Sequence, residues 1–156
     1  MHVVFLFVLW LILSIIQIVL SGSDIVETLL MDGLIIMVGL GGLYSFIGHT
    51  VFSDRVAQSI GWPQGNPFQY EVAMANLALG VLGIVSFWIH YYFWIATVIA
   101  FSVFMLGAAA IHIREMRKSK NFNQGNAGPV FFADIGMPLI LITLLVIYIF
   151  RSPIYQ

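Results

Sequence analysis

The sequence has no cysteine, which excludes disulfides, thiolate metal sites, iron–sulfur ligation and cysteine nucleophiles. It is almost as short of charge: Asp, Glu, Lys and Arg together make up 8% of its 156 residues. A soluble globular domain carries roughly 25%, so this chain cannot clothe a water-facing surface. Phosphate-binding loops, dinucleotide fingerprints, hydrolase nucleophile elbows and HExxH or ExxH metal motifs are also missing. The net charge of −1 points to no class of partner. What the chain has instead is apolar bulk, at 61% hydrophobic residues and a mean hydropathy of +1.01. Lipid is the natural solvent for most of its side chains. The seven methionines are scattered and read as core filler.

Five apolar stretches can be drawn, at about 1–20, 25–52, 71–89, 93–113 and 130–150. Each is long enough to cross ~30 Å of hydrocarbon at ~1.5 Å per residue. The expected fold is therefore all-α, a single polytopic transmembrane helix bundle over residues 1–156. The first stretch lacks a basic leader and exceeds a signal-peptide core, so it reads as a retained helix despite a weak cleavage-like Leu20-Ser21-Gly22. The uncharged run from Glu71 to Arg114 is too long for one crossing. Its one plausible turn is His90-Tyr91-Tyr92-Phe93-Trp94, a cluster suited to the membrane boundary.

With five spans, Arg55, Arg114, Arg117, Lys118 and Lys120 fall on one side and Arg151 on the other. The positive-inside rule then predicts a cytoplasmic amino terminus and an outer carboxy terminus. Asp24 and Glu27 open the second helix on the outer side, where carboxylates suit a helix amino terminus. Asn66-Pro67-Phe68-Gln69 reads as N-cap, first helical proline and capping-box glutamine for the third helix. The Gly61-Trp62-Pro63-Gln64-Gly65 stretch before it reads as a tight turn. Gly39, Gly41, Gly42 and Gly48, then Ala73, Asn76, Gly80 and Gly83, and the run Gly107 to Ala110 mark expected helix contacts, because small residues let helices approach closely in lipid.

Sorting polar residues by depth puts His49, Glu71, Asn76, His112, Glu115 and Asp134 in one layer near the cytoplasmic boundary, with Asp54 just beyond it. Such a layer has three readings: a structural polar cluster, a proton or small-ligand site, or a metal site built on His49, Glu71, His112 and Asp134. Helix-dipole pairing explains Glu71 and Asp134 equally well. Asp32, two turns into the second helix, is either an intramembrane carboxylate of functional interest or an interfacial one. The basic run Arg114 to Lys120 reads as a topology signal and lipid-headgroup contact rather than a nucleic-acid site.

The segment Gly61-Trp62-Pro63-Gln64-Gly65-Asn66-Pro67-Phe68-Gln69-Tyr70-Glu71, continuing through Ala75-Asn76-Leu77-Ala78, resembles an uncharacterised prokaryotic membrane-protein family with a GWPxGxPFQxE signature and an ANLAxG-type helix. A fainter similarity is to DoxX-like small membrane proteins. The resemblance implies a multi-pass protein of a prokaryotic inner membrane, draws interest to Glu71, and carries no activity. Three functions stay open: an accessory or binding subunit (of a larger membrane complex or a homo-oligomer), a redox or metal-dependent membrane enzyme, and a small transporter or proton-linked channel. The sequence names no cofactor, and its one evident partner is the bilayer.

Overall fold

The computed structural model describes residues 2–151, and among them the only regular secondary structure is helical. Helix α1 spans His2–Ser21. Helix α2 runs over Ile25–Val51, with Leu34–Leu40 wound as a π-helix. The short α3 (Ser53–Ile60) lies before α4 (Phe68–Val85). Helix α5 is Tyr92–Lys118, α6 is the single turn Gln124–Ala127, and α7 is Pro129–Arg151. Five helices are long and apolar enough to cross a membrane. This is the architecture of a multi-pass membrane protein.

Local chemistry sets the helix ends. Asp24 caps α2 by accepting from the N–H groups of Val26 and Glu27 at 2.9 and 3.0 Å, which satisfies two donors that the first turn leaves open. Asn66 Oδ1 accepts from the Phe68 N–H at 3.0 Å, as expected of a cap. Gln69 departs from the expected capping box, because its side chain turns to His49 on α2 instead. The Gly61–Gly65 turn needs backbone with positive φ at both ends, 87° and 71°, a conformation glycine adopts without a steric penalty.

The third and fourth spans are separate helices. Their turn lies at residues 86–91, slightly earlier than the aromatic cluster suggested, with Tyr91 at φ 57°. Trp94 corrects the expectation of an interfacial ring. It is fully buried, and its indole N–H donates to the Ser86 carbonyl at 2.8 Å. An indole whose one donor is satisfied inside the bundle has no need of the boundary.

The bundle is built as two helix pairs. Helix α2 packs along α4, and α5 packs along α7. The first pair is glycine-lubricated: a Cβ on Gly42 would stand 2.6 Å from the Asn76 carbonyl oxygen, and one on Gly80 would stand 2.9 Å from the Leu43 nitrogen. Towards the end carrying the 86–91 turn, α1 closes the two pairs around Trp10, Leu30, Leu34, Trp94 and Leu141. There Arg151 pairs with Asp24 at 2.9 Å. Towards the opposite, basic end the pairs diverge. The Gly41–Val51 half of α2 packs mainly on α4, and α5 meets α2 mainly at the π-helical segment.

Candidate functional site: a cleft at the basic end

The divergence leaves a cleft of about 1010 Å³ between the two helix pairs. Most of its wall is aliphatic or aromatic. Leu6, Met37, Phe101 and Met137 form its deep end, and Arg55, Val56, Ser59 and Trp62 line it at the α3 end. Helix α3 closes that end because it is tied to the loop before α6: the Asn121 side-chain amide donates to the Ile60 carbonyl at 2.8 Å. The cleft also opens sideways. Its rim residues Tyr44 on α2 and Val103 on α5 are 53% and 70% exposed.

Four of the polar residues singled out by depth reach this wall, each from a different helix: His49, Asn76, His112 and Asp134. His112 and Asp134 form one unit. The His112 Nε2 lies 3.5 Å from Asp134 Oδ2, and both side chains are buried. Behind them stands Asn126, fully buried. Its amide nitrogen donates to the carbonyls of Asn121 at 2.8 Å and His112 at 3.4 Å. That fixes its oxygen towards His112 Nδ1, 2.7 Å away. An amide oxygen only accepts, so His112 carries a hydrogen on Nδ1. Its Nε2 and the Asp134 oxygen then need one proton between them, since two lone pairs facing each other in a buried site are unfavourable. With that proton the pair is neutral overall.

His49 is held differently. Its Nδ1 donates to Gln69 Oε1, and the buried Gln69 amide nitrogen has no partner among the described residues. Asn76 lines the cleft but spends its amide on the Val72 carbonyl one turn back, at 2.9 Å.

The remaining expected residues lie elsewhere. Glu71 is exposed on the outside of α4, and Glu115 faces a separate shallow groove beside Gly61, Trp62 and Pro63. Of the motif, only Trp62 reaches the cleft; Gly61, Gly65 and Pro67 shape the turn before α4. Asp54 accepts from the Gly65 N–H at 3.1 Å and braces that turn. Among the described residues no group of three or more His, Asp or Glu side chains is placed to hold a metal ion. The set His49, Glu71, His112 and Asp134 is therefore not brought together, since Glu71 points away. Asp32 is buried between helices, accepting from the Ser14 hydroxyl at 2.8 Å. The run Gly107 to Ala110 is only partly a packing face: Ala109 is buried, but a Cβ on Gly107 would meet nothing within 4 Å, and Gly107 lines the cleft.

Asn126, Gln69, Ser14 and Arg55 were not singled out as site residues by sequence reasoning. Ser14 had a signal, as a hydroxyl in the middle of a span. Asn126 lies in the uncharged, Asn- and Gly-rich run 121–128, where no motif or periodicity marks it.

A family model matches residues 1–152, and its description is a family of unknown function, DUF6790. No curated protein and no solved structure matches the chain.

Proposed function

We propose a binding role for this chain, which belongs to the DUF6790 family of unknown function and carries five membrane-spanning helices: it takes an amphiphilic molecule from its own bilayer into the cleft at its basic end. The observation behind this reading is the cleft itself. Its volume of about 1010 Å³ reaches the upper end of the range typical of ligand pockets, roughly 300–1,000 Å³. Its wall combines apolar surface with a few convergent polar groups, and its side mouth faces the hydrocarbon. An apolar chain fits the wall, and a polar head finds His49 and the His112–Asp134 pair. The positive-inside rule places this end at the cytoplasmic face. The resemblance noted in the sequence supports a prokaryotic inner membrane, with the protein as a binding or accessory component there.

The test fills the cleft without disturbing the fold. Gly107 has open space where a side chain would go, and so does Gly136, which does not line the cleft. Protein purified in mild detergent is analysed by native mass spectrometry for co-purified amphiphile. Wild type and Gly136→Trp retain it, and Gly107→Trp loses it. Equal retention by all three removes the reading.

A further inference from the structure

Charge is unevenly distributed on the cleft wall. Asp134 and His112 answer each other and are neutral with one shared proton, and the imidazoles of His2 and His49 bring no permanent charge. Arg55 does. Its guanidinium stays protonated in any protein setting, lies 5.7 Å from the centre of the Phe52 ring, and takes part in neither of the two ion pairs among the described residues. From Arg55 the wall continues as apolar surface past Ile47 and Gly107. A fixed cation at one end of an apolar groove is complementary to an anionic head with a hydrocarbon chain.

We propose that the occupant is an anionic phospholipid of the surrounding leaflet, with its phosphate at Arg55 and one acyl chain in the cleft. This rests on the amphiphile-binding reading and names its ligand. Two features favour a phospholipid over a free acid. The lateral mouth between Tyr44 and Val103 leaves room for a second chain to stay in the bilayer. Arg55 also lies at the same end of the bundle as Arg114, Arg117, Lys118 and Lys120, where lipid headgroups sit and where basic residues attract anionic ones.

The experiment compares phosphatidylglycerol and phosphatidylcholine with identical chains, added to delipidated protein in detergent and quantified by native mass spectrometry. One basic residue near the surface is worth about a fivefold preference for the anionic lipid at low salt. Wild type shows that preference. Arg55→Gln abolishes it, and Arg117→Gln keeps it. Equal binding of both lipids to wild type, or a preference surviving Arg55→Gln, overturns the assignment while leaving the cleft reading intact. So does palmitate displacing phosphatidylglycerol at equal concentration, which makes the occupant a free acid. Retention of no lipid at all overturns the cleft reading itself.

Discussion

Asn126 has both side-chain polar atoms engaged and no exposed surface, so truncating it strands the part-buried Asn121 carbonyl and the His112 Nδ1 hydrogen together. Asn126→Ala should lower stability by about 1–3 kcal/mol, read as a shift of the thermal unfolding midpoint in detergent. Gln124→Ala, at an exposed position of the same segment, should stay within about 0.5 kcal/mol of wild type. Ser14 and Asp32 make a second buried polar pair. Ser14→Ala leaves a buried carboxyl without its donor, and Asp32→Ala leaves a buried hydroxyl, so each costs on the order of 1–3 kcal/mol. The double variant should cost less than the sum of the two, and strict additivity in a double-mutant cycle refutes the coupling. Asp24 gives the pH prediction. The Glu27 N–H, then the Arg151 charge, hold its carboxyl below the ordinary carboxylate range. A group with a lowered folded value stabilises the fold above its unfolded value near ~3.9, and that contribution is lost as pH falls through the folded value. Its side chain is 42% exposed, so screening keeps the effect well under ~1 kcal/mol. Asp24→Asn keeps a capping oxygen and removes the titration. Its melting temperature should therefore fall less than that of wild type between pH 5 and pH 3.

At the scale of helices, the glycines separate into two kinds that look alike in the sequence. Gly42 and Gly83 face the backbone of the neighbouring helix, with the Asn76 oxygen and Gly39 in the way of any side chain. Gly42→Ala and Gly83→Ala force α2 and α4 apart and should each cost about 1–3 kcal/mol by overpacking. Gly107 faces open space, so Gly107→Ala should be neutral or stabilise by up to about 1 kcal/mol through helix propensity. A melt in which all three behave alike contradicts the split bundle. Hydropathy made the five spans legible, because twenty apolar residues have few other uses. The two kinds of glycine were not legible, because the divergence of the helix pairs depends on tertiary packing that no single span encodes. The polar layer was half legible for the same reason. Depth along a helix can be counted from the sequence, which found His49, His112 and Asp134. Rotation about the helix axis separates Glu71 from them, since it shares their depth but faces outward. Asn126 reaches the site from a four-residue turn, where no periodicity exists to read.

The whole molecule has a basic end and an end closed by the Asp24–Arg151 pair, and its orientation in the membrane decides which leaflet the cleft serves. The absence of cysteine makes this directly measurable, since a single introduced thiol is the only target for a maleimide. Trp88 and Ser119 are both exposed, the first at the 86–91 turn and the second just beyond the end of α5. If the basic loops face the cytoplasm, as the positive-inside rule predicts, Trp88→Cys in intact cells reacts with a membrane-impermeant maleimide. Ser119→Cys then reacts only after permeabilisation. The reverse pattern turns the protein over. The cleft would then open to the outer leaflet, and Arg55 would meet the lipids there instead. Labelling of both sites in intact cells breaks the five-span topology at the 86–91 turn, because residues at opposite ends of one crossing cannot share a compartment. The orientation thus fixes which pool of lipid a cleft of this shape can draw from, before any ligand is identified.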